Sequence, residues 1–289
     1  MRKVLVGLLA VVQLAVVAPG ADACPDWVQV GTDINSGISG ISVLSKSNGR
    51  IEALIVRDNK KPGQNRIART TWIPGRTPVT EPLTWQGELP IDLESIDPVP
   101  GHAGEFIVVA SKGKGFHILV EPGTATVLRT FQLPIGQPGD DYESFALATV
   151  GGRLTALWAD RGQDERLSKL YAASFDFATL TFGPAQTVTF RAPSPTEFVR
   201  HISDLDVTAD GSLVVSAAAD PGDDGPFVSA VHVIGKVSAG PSLTLRPKAR
   251  TMDEYDDRKI EALACLTPSC TSMLLGTDDE NLGGWLLRD

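Results

Sequence analysis

Five short segments share one pattern: a serine or glutamate, one further residue, then an apolar residue. They are Ser39-Gly40-Ile41, Glu94-Ser95-Ile96, Glu143-Ser144-Phe145, Ser203-Asp204-Leu205 and Glu261-Ala262-Leu263. Each leads, through a turn and a second apolar run, to a polar residue: Asp58, Ser111, Asp160, Asp220 and Asp278. The offsets are 19, 17, 17, 17 and 17 residues, and successive leading residues lie 55, 49, 60 and 58 apart. If the leading side chains converge, three carboxylates meet two hydroxyls. Carboxylates brought together repel unless they are protonated or neutralised by a cation. The donors are all oxygen, which selects a hard cation. Ser39, Glu94, Glu143, Ser203 and Glu261, with water, can supply the roughly 6–8 oxygens that Ca²⁺ takes. Mg²⁺ demands stricter octahedral geometry and zinc wants nitrogen or sulfur. A water-filled channel mouth lined by hydrated carboxylates is the alternative.

The elements that must position these residues are strands. Short apolar runs such as Phe106-Ile107-Val108-Val109-Ala110, Leu154-Thr155-Ala156-Leu157-Trp158 and Leu213-Val214-Val215-Ser216 recur. Asn48-Gly49, Gly151-Gly152 and Asp210-Gly211 stand just before such runs, where hairpin turns belong. No helical period is sustained. Five units of about 50 residues, each several strands long, predict an all-β fold, a five-bladed β-propeller. The last unit has room for about three strands after Glu261, so Trp27-Val28-Gln29-Val30 is expected to supply the fourth and close the ring. A closed ring leaves no free edge, and a monomer is expected. In such a fold the first strand of each blade lines the central channel, so the five leading residues point toward the axis at one face.

Composition is globular: 289 residues, 42% hydrophobic and 21% charged, with net charge −9, which disfavours a nucleic-acid coat. Met1-Arg2-Lys3, an apolar run from Val4 to Ala18 and Ala21-Asp22-Ala23 read as a signal peptide over residues 1–23. Residues 24–289 then form one domain, secreted or periplasmic, with no segment apolar and long enough to span a bilayer. Lipid attachment at Cys24 is the less favoured alternative, because Ala21 and Asp22 fit that signal poorly. Cys265 and Cys270 enclose Leu-Thr-Pro-Ser and are expected to form a local bridge in an oxidising compartment.

Loops leaving the second strands share the face of the five leading residues. Arg57, Lys60, Lys61, Arg66, Lys112, Lys114, Arg161 and Arg166 fall in units 1 to 3; Arg200 and Lys259 stand before Ser203 and Glu261. Asp220, Asp223, Asp224, Asp278, Asp279 and Glu280 fall in units 4 and 5. A half-basic, half-acidic rim around a cation suits a phosphate ester. On that reading Lys112, Arg161 and Arg200 bind substrate, and Asp58 and Asp160 are the candidates to orient the attacking water. Hydrolase motifs such as Gly-x-Ser-x-Gly and His-Glu-x-x-His are missing. The tryptophans fall where strands should pack, as core rather than as sugar platforms.

The order Ser39, Glu94, Glu143, Ser203, Glu261 over five blades resembles the calcium-activated nucleotidases, the apyrases of secretory pathways. The resemblance implies a five-bladed propeller holding one Ca²⁺ through those residues and hydrolysing nucleotides. The sequence departs from that family at Asp58-Asn59, where an acidic pair is expected. A looser likeness, in the Glu-small-apolar strand starts, is to phytase-like propellers. Three functions therefore stand: a calcium-dependent phosphohydrolase acting on a phosphorylated small molecule, a non-catalytic propeller binding a protein or glycan, and a glycosidase using the channel carboxylates as acid and nucleophile.

Overall fold

The computed structural model describes residues 27–73, 75–134 and 136–289. The expected signal peptide, its cleavage site and Cys24 lie outside them. Among the described residues all the regular structure is strand, apart from two single-turn 3-10 segments, Ile34–Ser36 and Glu280–Leu282.

Five sheets form the blades, each running outward from an axial strand and antiparallel throughout except where the outermost strand of blade 2, Thr84–Gln86, pairs in parallel with Thr124–Gln132. The axial strands are Gly40–Ser47, Leu93–Pro98, Tyr142–Val150, Val199–Val207 and Ile260–Cys265. Each touches the next, and the fifth touches the first, so the ring is closed. This is a five-bladed β-propeller. Blade 5 closes as the sequence predicts: Val28–Gln29 pairs antiparallel with Trp285–Arg288 and becomes its outermost strand. The first and last described strands thus share one sheet, which covers an edge that would otherwise invite pairing. Cys265 and Cys270 are bridged across the turn between the two inner strands of this blade.

The blades adhere through apolar layers, as alternating strands require. Trp158 is fully buried, stacked on Tyr171 with ring centroids 5.4 Å apart, between blades 2 and 3. Leu213, Val215 and Ala217 of blade 4 pack with Leu157, Ala159 and Leu170 of blade 3.

Polar staples also join neighbouring axial strands. Asp97 accepts the Leu147 N–H at 2.6 Å, Asp204 the Leu263 N–H at 2.6 Å, and Asp206 the Cys265 N–H at 2.7 Å. These three aspartates line a channel cavity of about 230 Å³. Burial pushes the Asp97 and Asp204 carboxyls well above the usual range, and nearby Asp206 adds to this in both.

Replacing Trp158 with Ala should cost about 3–5 kcal/mol, since a large buried side chain leaves a cavity that the rigid blade walls cannot fill. Denaturant unfolding would register this as a lower midpoint at unchanged slope.

Candidate functional site at the channel mouth

The five leading residues do come together at the face where the axial strands begin. Ser39, Glu94, Glu143, Ser203 and Glu261 are all buried there, none more than 7% exposed. A detail of the backbone explains how. Each glutamate sits at a register shift: between Leu93 and Ser95, between Tyr142 and Ser144, and between Ile260 and Ala262. A β-bulge inserts one unpaired residue and re-aims its side chain. Three bulges at equivalent positions turn three glutamates inward and, with the hairpin registers, set the repeated offset of 17.

Arg200 lies between them. Its Nη1 is 2.6 Å from Glu261 Oε1 and 3.7 Å from Glu143 Oε2, and its Nη2 pairs with Asp220. Glu143 also accepts from Arg161 at 3.1 Å, and Glu261 lies 3.2 Å from Lys259 Nζ. Lys259 in turn pairs with Glu280. No hydrogen bond or ion pair reaches Glu94 among the described residues, and the hydroxyls of Ser39 and Ser203 are buried without a partner.

Electrostatics follow from this division. Burial pushes the Glu143 carboxyl up to about 7; Arg200 and Arg161 oppose the rise, and Glu261 adds to it. Burial, with Glu143, Asp92 and Glu261 nearby, pushes Glu94 well above the usual range. Desolvation pulls the Arg200 guanidinium down, but Glu261, Glu143 and Asp220 outweigh it and hold the cation firmly charged. The mouth therefore contains two glutamates, Glu143 and Glu261, that each face two cations, and a third, Glu94, that pairs with none among the described residues.

The rim differs from the sequence reading. Several of its bases already pair with carboxylates. Lys112 pairs with Asp141 at 2.7 Å, Arg161 with Glu143 and Asp141, Lys60 with Asp92 at 2.9 Å, and Arg166 with Asp160 at 2.6 Å. Asp160 is fully buried and accepts from Arg166 and from the N–H groups of Asp141 and Gly162. It clasps two loops. Asp58 remains at the mouth, 3.6 Å from Lys60, and burial together with Glu261 raises its carboxyl.

Among the described residues, no group of three acidic, His or Cys side chains is arranged to hold a metal ion. Glu143 and Glu261 are turned onto Arg200, whose charge neutralises them as a cation would. The unpartnered Ser39 and Ser203 hydroxyls are the part of the ring that still suits Ca²⁺.

A second feature escaped the sequence reading. Among the described residues seven large apolar side chains are exposed, and five of them, Ile34, Leu89, Ile91, Phe198 and Leu282, stand in the loops of this same face. Val79 and Leu128 lie on outer strands, and the turns of the opposite face carry none among the described residues. These exposed apolar side chains share the face of the charged mouth. Only the assembled fold gathers these loops, so no local pattern could announce it.

No protein-family profile and no curated protein sequence matches the chain. Solved structures do share its architecture. An exo-1,5-α-L-arabinanase from a bovine ruminal metagenomic library superposes with TM-score 0.51 at 10% identity, over 87% of this chain and 92% of that one. A protein described as a glycoside hydrolase gives 0.53 at 8% identity, over 90% of this chain and 62% of that one. The GH43 endo-arabinanase of Bacillus licheniformis gives 0.49 at 11% identity, over 91% and 96%. At these identities the likeness is one of fold.

The raised carboxyl of Glu143 has a thermodynamic signature. A group whose pKa is higher folded than unfolded stabilises the fold below its unfolded value, and that stability is lost as pH rises through the folded value. From about pH 4.5 to 7 the native protein should therefore lose stability relative to Glu143→Gln, by up to about 1.4 kcal/mol per pH unit. The three buried histidines whose pKa is lowered, His117, His201 and His232, cancel in this difference. Thermal unfolding of both proteins at pH 5, 6, 7 and 8 measures it.

Proposed function

We propose that this chain is an exported glycan-active propeller that hydrolyses a glycosidic bond at the channel mouth. The observation that carries the reading is the pair Glu143 and Glu261, buried on the axis with oxygens on either side of one Arg200 nitrogen. Those two contacts, at 3.7 and 2.6 Å, keep the oxygens no more than about 6.3 Å apart, which admits the ~5–5.5 Å of double displacement and falls just short of the ~6.5–9.5 Å of direct inversion. Unequal environments for two carboxyls are how one site supplies both acid and base.

In this scheme Glu143, poised near neutrality, gives its proton to the glycosidic oxygen as the carbon–oxygen bond breaks. Glu261, flanked by Arg200 and Lys259, attacks the anomeric carbon. Water, deprotonated by Glu143, then releases the sugar and restores both carboxyls. Arg200 keeps Asp220 as a partner when substrate displaces it from the pair. Apolar side chains on the rim suit the C–H faces of sugar rings. The arabinanase and glycoside hydrolase neighbours support the reading at the level of fold alone. Export rests on the reading of residues 1–23, and the Cys265–Cys270 bridge accords with an oxidising compartment.

A second reading is favoured by the partnerless hydroxyls of Ser39 and Ser203. Here Ca²⁺ is held by Ser39, Glu94, Glu143, Ser203 and Glu261. It would supply positive charge at the axis, as in the nucleotidase resemblance, for a phosphorylated small molecule.

One comparison separates the two. Mature protein is assayed on aryl arabinofuranosides and galactosides and on nucleoside diphosphates, with Ca²⁺ or chelator, and its unfolding midpoint is followed in parallel. The glycosidase reading predicts release of the aryl alcohol without added Ca²⁺, cut at least 10³-fold in Glu143→Gln and in Glu261→Gln. A midpoint raised by Ca²⁺, phosphate release and no glycosidase activity would transfer the conclusion to the second reading.

A further inference from the structure

Phe198 sits in a place that folding alone does not explain. Its φ is +52°, the left-handed region that bulky side chains avoid and that Gly or Asn would occupy at less cost. Its phenyl is 53% exposed. The conformation is imposed from both sides. The Phe198 carbonyl accepts the Asp220 N–H at 2.8 Å, and the next residue, Val199, exchanges two hydrogen bonds with Asp164, at 2.9 and 3.0 Å. A strained backbone held this firmly is a recurrent mark of binding sites.

The phenyl borders a groove of about 380 Å³. Pro195, Pro221 and Pro226 give it apolar walls, while Ser194, Thr196 and Glu197 bring hydrogen-bonding groups to it. Two lining residues, Ala219 and Pro221, flank Asp220 in the chain, and Asp220 pairs with Arg200 of the channel mouth. An apolar floor with polar groups beside it matches a sugar ring, whose C–H face is apolar and whose edge bears hydroxyls.

We propose that Phe198 and the groove beside it form a subsite that stacks one sugar residue of the glycan next to the bond held between Glu143 and Glu261. The subsite rests on the glycan reading above and adds to it a residue that sets affinity for longer chains. Phe198 is a binding residue; it touches neither proton transfer nor the anomeric carbon.

The test uses the full mature chain carrying Glu143→Gln, so that saccharides persist, titrated calorimetrically with α-1,5-arabinotriose and β-1,3-galactotriose. Adding Phe198→Ala should weaken the trisaccharide that binds by at least tenfold, and Phe198→Tyr should restore it. Phe198→Asn, measured alone by thermal unfolding, should leave the midpoint unchanged or raise it by a few degrees, because Asn accepts the left-handed backbone. If the trisaccharide binds equally well with Phe198→Ala, the subsite is overturned and the glycan reading stands. If neither saccharide binds the parent protein, the glycan reading fails and takes the subsite with it. A midpoint lowered by several degrees in Phe198→Asn would make the phenyl part of the fold and contradict the proposal by itself.

Discussion

Three carboxylates buried around one axis are the constraint to which the channel mouth answers. Like charges in a poorly solvated space must be neutralised, protonated or kept apart, and this molecule uses the first two together. Arg200 spans Glu143, Glu261 and Asp220, while Lys259 and Arg161 each take a second side. Glu94, which pairs with no cation among the described residues, has its carboxyl pushed well above the usual range by burial and by its acidic neighbours. The surrounding loops then pair off many of their own charges, so a rim that reads as half-basic and half-acidic carries several ion pairs within itself.

The same economy recurs lower in the channel with different partners. Asp97, Asp204 and Asp206 have no cation within reach among the described residues and accept instead from backbone N–H groups of the adjacent blade. One ring of carboxylates thus stitches blades together, and the other is left with its side chains toward the open face. That difference is what makes the mouth a candidate for chemistry and the lower ring a part of the scaffold.

Much of the fold was legible because a propeller repeats. Equal spacing, turn pairs before strands and a short fifth unit dictate five blades and a closing N-terminal strand, and Val28–Gln29 takes that place. The identity of the five axial residues was legible for the same reason. Their surroundings were not. The bulges that aim the glutamates interrupt the pairing of whole strands and leave no local composition signal. The role of Arg200 depends on Glu261, 61 residues away in sequence, across a blade boundary. Asp160 has the spacing of a site residue, yet its register gives it to Arg166 and the loop backbone. The apolar rim comes from four separate loops and exists only once the ring has closed.

The most direct test of this account is a double-mutant cycle between Arg200 and Glu261 followed by equilibrium unfolding at pH 7. Removing the guanidinium alone, in Arg200→Met, leaves buried charge unpaired and should cost about 3–5 kcal/mol. Removing the charge as well, in Arg200→Met with Glu261→Gln, should recover a large part of that loss, giving a coupling above about 1 kcal/mol. A near-neutral Arg200→Met, or two effects that simply add, would mean that the carboxylates at the mouth do not need this cation, and the electrostatic account of the site would be wrong.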